Sequence, residues 1–366
     1  MEFIDLKTQQ ERLRPELDKR IATVLDHGRY VLGPEVSELE EKLCDYLSVK
    51  HAIGVSSGTD SLLIALMAMG IGPGDEVITV PYTWISTAEV IALLGATTVF
   101  IDVEPDTLNM DTNLLEAAIT ENTKAIMPVG IYGQTSDLTA INEIAARDGN
   151  IPVIEDAAQS FGATHHGVKS GALSLVGSTS FFPSKPLGGY GDGGAIFTDD
   201  AELAEKMRWI RVHGQEKKHY HPVIGLNGRL DSLQAAIILP KFEVFDEEIA
   251  MRQQVAERYN ERLGSLGIAT PIVAAGNTSV YAQYTILTED PSGMQVALNA
   301  EDIPSVSYYS VPLHEQPVFE NLGYKRGDFP VTEKIGESGL SLPMSPYVKE
   351  EDQDRIYQCL KNFMEA

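Results

Sequence analysis

Short apolar runs alternate with helix-like runs over the first two hundred residues, and this alternation limits the fold more than any other feature. Strand-like runs fall at 52–55, 76–80, 98–103, 125–129, 153–156, 179–182 and 195–198. Helical runs at 61–69, 85–94, 114–119 and 138–146 separate most of the first five. Such β-α alternation predicts an α/β fold whose mostly parallel sheet is covered by helices on both faces. Ligands of such sheets bind beyond the carboxyl ends of the strands. A long helical stretch over 230–266 follows and crosses Pro240. The remainder alternates shorter strands (280–286, 305–309) with helices (294–299, 350–364), which predicts a smaller α+β domain. The expected division is a large domain with an N-terminal arm over 1–245 and a small domain over 246–366.

Several chemistry-bearing residues fall at or just past expected strand ends. Lys185 lies in Phe181-Phe182-Pro183-Ser184-Lys185-Pro186-Leu187-Gly188-Gly189-Tyr190-Gly191, and Asp156 closes Pro152-Val153-Ile154-Glu155-Asp156. A lysine in a Gly-rich turn suits an amine that must swing between two partners. Pyridoxal phosphate needs that amine for its Schiff base, and a carboxylate to keep its ring nitrogen protonated. Each residue also has an ordinary reading: a solvated surface charge for Lys185, a helix cap for Asp156. Further features point to the same cofactor. Ser56-Ser57-Gly58-Thr59-Asp60 joins a short strand to an apolar helix. That geometry aims free N–H groups and a positive dipole end at a phosphate, although a plain N-cap uses the same residue types. Trp84, just past Pro81, could lie flat on a ring or plug a strand–helix gap. Gln159 could reach the ring hydroxyl, and Ser180 the phosphate. Both could equally be ordinary polar residues at strand ends. Neither a Walker loop nor a GxGxxG fingerprint is present.

The wider pattern resembles the DegT/DnrJ/StrS family of sugar-nucleotide aminotransferases, fold-type-I pyridoxal phosphate enzymes. The resemblance is carried by Gly33-Pro34 with Glu38 and Leu39, Ser57-Gly58-Thr59-Asp60 and Gly72-Pro73-Gly74-Asp75-Glu76-Val77. It continues through Glu155-Asp156-Ala157-Ala158-Gln159-Ser160, Phe181-Phe182-Pro183-Ser184-Lys185 and Gly191-Asp192-Gly193-Gly194. It ends with Asn227-Gly228-Arg229-Leu230-Asp231-Ser232-Leu233-Gln234-Ala235 and Pro312-Leu313-His314-Glu315-Gln316. The resemblance implies a catalytic Lys185 that carries pyridoxal 5′-phosphate and shuttles a proton, with pyridoxamine phosphate as the alternate form. It implies that Asp156 faces the ring nitrogen, Trp84 stacks on the ring, and Gly58, Thr59 and Ser180 hold the phosphate. It adds Asn227 reaching that phosphate from a second subunit, Arg229 near the nucleotide diphosphate, and Tyr308 and Tyr309 near the sugar. Glutamate as amino donor, 2-oxoglutarate as its product and an obligate homodimer with shared active sites are implied in the same way. Related dehydratases carry histidine where Lys185 stands, so the resemblance is to the aminotransferases. The opening residues 2–7 and the run 29–34 look most like the branch that aminates a UDP-linked 3-keto-uronic acid sugar. Tyr309-Ser310 departs from the Tyr-Pro of many relatives, which bears on the substrate pocket. The competing functions are a pyridoxal phosphate dehydratase or lyase and a non-catalytic regulator on the same fold.

Charge and composition set exclusions. A formal net charge of −25 argues against a nucleic-acid partner. The same field would repel a diphosphate substrate. A local answer lies between residues 206 and 229, where six basic residues face the single acid Glu216, an excess of +5. Lys206, Arg208 and Arg211 follow a helical run from Ala201 and read as a solvated face; the stretch from His213 to Arg229 reads as a phosphate-facing loop. Two cysteines, Cys44 and Cys359, suit a reducing cytoplasm. The N-terminus lacks signal-peptide character, and no apolar run nears the roughly 18 residues of a membrane helix. A cytoplasmic enzyme with no membrane contact and no metal is expected.

Overall fold

The computed structural model describes residues 1–365. Two helices, α1 (Leu6–His27) and α2 (Pro34–Leu47), precede the first strand. Asp5 caps α1 by accepting from Thr8 N, and Gly28, in the left-handed region, ends it. Seven strands then form the central sheet: β1 (His51–Val55), β2 (Glu76–Thr79), β3 (Thr97–Phe100), β4 (Thr123–Ile126), β5 (Ile154–Asp156), β6 (Val176–Ser180) and β7 (Gly194–Thr198). Hydrogen bonding joins them as β1-β7-β6-β5 and as β3-β2-β4. Parallel bridges Ile126 to Val153 and Val129 to Asp156 connect the two groups. Only β7 runs antiparallel to its neighbours; the β5–β6, β2–β3 and β2–β4 pairs are parallel. The mostly parallel α/β sheet expected from the alternation is therefore present.

Helices α3 (Gly58–Met69), α4 (Ser86–Leu93), α5 (Thr112–Ala118), α6 (Leu138–Arg147) and α7 (Ala201–Ile210) cover this sheet. Helix α3 is almost wholly apolar and buries Leu62, Ile64, Ala65 and Leu66, so the sheet and α7 enclose it. On the other face Leu39, Leu43, Phe161, Phe197 and Ile238 form a second core. Strand β6 begins three residues before the expected run 179–182. Its Val-Gly-Ser-Thr-Ser sequence is weakly apolar, yet small side chains let neighbouring elements pack directly on it. After Phe181 the chain turns back, with Lys185 N donating to Phe182 O at 2.8 Å and Gly189 N to Phe181 O at 2.7 Å.

The expected helix over 230–266 is two helices, α8 (Ser232–Phe242) and α9 (Phe245–Gly264). The break falls at Val244 (φ −109°, ψ 6°), and Pro240 lies inside α8. Leaving the helical path there lets Phe242 and Phe245 both pack on Tyr46. Beyond α9, α10 (Pro291–Ala300), α11 (Pro330–Ser338) and α12 (Glu350–Glu365) accompany an antiparallel pair, β8 (Tyr284–Leu287) with β9 (Gly339–Leu342). Their core gathers Tyr259, Tyr284, Leu298, Leu340 and Leu360. The expected strand at 305–309 is absent: Val306 alone bridges to Ser341. Tyr309 adopts φ 56°, which ends any extended run. Strand β9 was not anticipated.

Candidate active site

Asp156 ends β5, and Lys185 follows β6, the strand hydrogen-bonded beside it. Adjacent parallel strands deliver both residues to one edge of the sheet. Lys185 is half-buried as a residue, but its amine is the desolvated part. Burial lowers the amine's pKa to about 8, with the Asp156 carboxylate pulling the other way. An amine in that range is partly neutral near pH 7–8 and hence nucleophilic. Asp156 is buried, and burial raises its pKa against hydrogen bonds from Ala158 N and Thr87. Thr87 Oγ1 donates to Asp156 Oδ2 at 3.0 Å, and Ala158 N to Oδ1 at 3.1 Å. These two donors hold the carboxylate plane. A cation placed against the buried carboxylate would stabilise its ionised form.

The turn before α3 has the form of an anion cradle. Ser57 caps the helix by accepting from Asp60 N at 3.0 Å. Gly58 has no alternative: a Cβ there would fall 2.6 Å from Ser180 Cβ. Ser180 Oγ accepts from Phe182 N at 3.2 Å, which leaves its O–H free to donate. Thr59 Oγ1 lies 2.7 Å from Ser86 Oγ, tying the turn to α4. The helix end, Gly58, Thr59 and Ser180 are thus together.

The remaining expected residues are placed differently. Trp84 precedes α4 and is 61% exposed. Gln159 is already engaged: Oε1 accepts from Tyr132 N at 3.0 Å, and Nε2 donates to Tyr309 OH at 3.0 Å. Tyr309 stacks on Tyr132 (centroids 6.2 Å, 19°) and meets Tyr82 edge-on at 5.6 Å. Tyr82 and Tyr132 hydroxyls lie 2.7 Å apart. Tyr132 and Tyr309 both hold left-handed backbone, φ 57° and 56°, as strained residues at functional sites often do. Tyr308 is half-buried, its ring 5.8 Å from that of Tyr309 and 6.2 Å from Phe3. Asn227 is exposed. Arg229 bridges to Val55 and lines a cleft of about 410 Å³ with Ser57, Asp60, Asp192 and Gln234. The basic residues Lys217 and Lys218 are exposed. Arg211 corrects the expectation of a solvated face. It is buried and donates to Glu40 Oε1 at 2.6 Å and Gly54 O at 2.7 Å, which makes it a structural cation.

Sequence reasoning missed Thr87, Tyr82 and Tyr132. Thr87 had a readable signal, since it follows Thr83 by one helical turn, and their hydroxyls lie 3.2 Å apart. His314, Glu315 and Glu333 also cluster, with His314 Nε2 3.1 Å from Glu333 Oε1 and its ring packed on Phe329. The donor set fits pyridoxal phosphate: one desolvated amine, one buried carboxylate with two fixed donors, and a helix N-terminus without a Cβ in the way.

The model of the DegT/DnrJ/EryC1/StrS aminotransferase family matches residues 11–361. A UDP-2-acetamido-2-deoxy-3-oxo-D-glucuronate aminotransferase of Pseudomonas aeruginosa is 53% identical over 95% of this chain and 96% of its own. A pleiotropic regulatory protein of Geobacillus stearothermophilus is 46% identical over 99% of this chain and 98% of its own. Among solved structures, NtdA from Bacillus subtilis with bound cofactor PMP matches with a TM-score of 0.91 and 31% identity. It covers all of this chain and 83% of that one.

Proposed function

Because the chain belongs to the DegT/DnrJ/EryC1/StrS aminotransferase family, we propose that it aminates a UDP-linked 3-keto uronic acid sugar, UDP-2-acetamido-2-deoxy-3-keto-glucuronic acid, with glutamate as donor. The chain is a pyridoxal phosphate-dependent sugar-nucleotide aminotransferase. The single observation behind the sugar is the 53% identity to the Pseudomonas aeruginosa relative along nearly the whole of both chains.

When bound, pyridoxal phosphate supplies an aldehyde that captures amines and a ring that withdraws electrons from the bond being broken. The chain's residues do the rest. Lys185 carries the cofactor, and after release its neutral amine takes the proton from glutamate Cα. In the return half-reaction it delivers a proton to the sugar carbon that gains the amine. Asp156, fixed by Thr87 and Ala158 N, holds the proton on the ring nitrogen. The α3 N-terminus with Gly58, Thr59 and Ser180 would hold the phosphate, and Trp84 would supply an aromatic face for the ring. Gln159 reaches the ring hydroxyl from its place between Tyr132 and Tyr309. Tyr308 and Tyr309 face the sugar, and Arg229 faces the diphosphate, where its planar fork suits the oxygens.

The working unit of this reading is a homodimer in which Asn227 and the 213–229 loop close the partner's site. Its support is the exposed apolar set Tyr30, Val31, Trp84, Phe182, Tyr220 and Ile224, the last 84% exposed. Exposed apolar residues mark an interaction surface where they form one contiguous patch. No helix among the described residues is long and apolar enough to cross a membrane. Cytoplasmic location is part of the same proposal.

The test supplies the UDP-linked 3-amino uronic acid with 2-oxoglutarate and measures glutamate formed. Turnover of this sugar above 4-amino and dTDP-linked analogues is expected. Preference for an analogue would reassign the substrate. A regulatory role, the description of the Geobacillus stearothermophilus relative, predicts no turnover of any of them.

A further inference from the structure

Lys241, on α8, is a deeply buried lysine, at 1% exposure. Its Nζ donates to Gly188 O at 2.7 Å. The ammonium also stands 4.1 Å from the centroid of the Tyr190 ring. Among the described residues it forms no ion pair. Burial lowers its pKa to about 8, with the more distant Glu248 opposing. A buried ammonium with one carbonyl and one ring face costs stability that an apolar side chain would not. Its partners therefore matter, and both belong to the loop that carries Lys185.

That loop is folded tightly on itself. A Cβ at Gly188 would strike Pro183 O at 2.5 Å and Phe182 O at 2.7 Å, so Gly188 lies directly against the residues preceding Lys185. The loop is also held from α8 at a second point, where Tyr190 N donates to Gln234 Oε1 at 2.9 Å. Gln234 and Lys241 are seven residues apart, two turns of helix, and so share one face of α8. Helix α8 in turn packs on α1 and α2.

We propose that Lys241 is a positioning residue that, with Gln234, clamps the 182–190 loop and sets where the Lys185 amine stands relative to Asp156. Gly188 O is drawn toward α8, which fixes the turn Phe182–Lys185 packed against it. Lys241 reaches the loop at Gly188 and Tyr190 and lines no part of the cleft that Gln234 shares with Ser57 and Asp60, so it acts on the path of the amine. The inference rests on Lys185 being the cofactor-carrying amine, and the first measurement below avoids that premise.

In cofactor-free protein, acetic anhydride labelling of Lys185 is followed by peptide mass spectrometry in wild type, Lys241→Met and Lys241→Arg. Methionine fills the space without a donor, whereas arginine keeps one for Gly188 O. Lys241→Met should fold with a Tm at or above wild type, yet change the Lys185 labelling rate at least threefold. In the loaded enzyme kcat should fall about tenfold with KM for glutamate within twofold, and Lys241→Arg should restore both readouts. Unchanged Lys185 labelling, no rescue by arginine, or loss of folding in Lys241→Met would each assign Lys241 to the fold alone and overturn the proposal. Labelling that shifts as expected in a protein with no aminotransferase activity would keep the clamp and reject the function.

Discussion

The inner end of the site and its rim are built on opposite principles. At the inner end, Asp156 is buried with two fixed donors, Gly58 is packed on Ser180, and the Lys185 loop is hydrogen-bonded to itself and to α8. Lys185, Asp156, Gly58 and Ser180 all lie at or just past a strand end or a helix start of one chain. At the rim, Trp84, Phe182, Tyr220, Ile224 and Asn227 are exposed, and the 213–229 stretch carries Lys217, Lys218 and Arg229 against the one acid Glu216 in a molecule of net charge −25. In the proposed reading, chemistry that needs sub-ångström placement sits on rigid elements, and recognition sits on a loop.

The sharpest break between the two regions should come from Lys185→Ala. Overall transamination should fall by about 10³-fold or more, because both the carrier and the proton shuttle are lost. Borohydride reduction of the wild-type holoenzyme, followed by peptide mapping, should place the reduced adduct on Lys185. Adduct on another lysine would move the centre of the site.

Asp156→Asn should keep the cofactor bound, as cofactor stoichiometry will report, but lose turnover. Loss of a neighbouring opposite charge shifts a pKa by one to three units, about 1.4 to 4 kcal/mol, or roughly tenfold to 10³-fold in rate. Near-normal turnover would mean that another group protonates the ring.

Arg229→Ala should act on the rim alone. The Michaelis constant for the nucleotide sugar should rise about tenfold, the scale of one charge-assisted hydrogen bond, with the glutamate half-reaction nearly unchanged. An equal loss in both half-reactions would place Arg229 at the inner end.

The smallest effect concerns Glu155, on β5 beside Asp156, which accepts from Ser170 Oγ at 2.7 Å and Gly171 N at 2.8 Å. Burial raises its pKa from 4.5 to about 7. The folded state therefore holds a proton that the unfolded chain releases, and the stability from this group is present below pH 4.5 and lost as pH rises through 7. Thermal melts from pH 5 to 7.5 should show a decline in wild type that Glu155→Gln removes. Equal slopes in the two proteins would place the Glu155 titration elsewhere.

The two regions also differ in how much could be read from the sequence. Strand and helix order was legible because alternation records burial, and strand ends locate ligand sites in a parallel sheet. Lys185, Asp156, Gly58 and Ser180 were read that way, and the structure places them at or just past such ends. Hydrogen-bond partners were not, since periodicity carries no information about which polar group meets which. Gln159 was read as a partner for the ring hydroxyl or an ordinary polar residue, and it is shared between Tyr132 and Tyr309; Thr87 was passed over and holds Asp156. Arg211 looked like one of three surface cations and is buried against Glu40, because a helix face shows its direction only after the sheet is placed. The run 305–309 has strand composition, and the stacking of Tyr309 on Tyr132 turns it into a bend. Strand β6 began early because small polar residues hide a fully packed strand.

The claim that the chemistry belongs to one chain and recognition to its neighbour is tested most directly by mixing Lys185→Ala with Arg229→Ala protein. Subunit exchange is first demonstrated with differently tagged chains. If the 213–229 loop closes the partner's site, a hybrid dimer holds one site with both intact residues, and sugar amination assayed well below the wild-type Michaelis constant should rise to about a quarter of the wild-type level for random pairing. In the present chain Arg229 already lines a cleft with its own Ser57 and Asp60. No recovery despite demonstrated exchange would therefore mean that Arg229 serves its own subunit's site, and the division between the two regions would be contradicted.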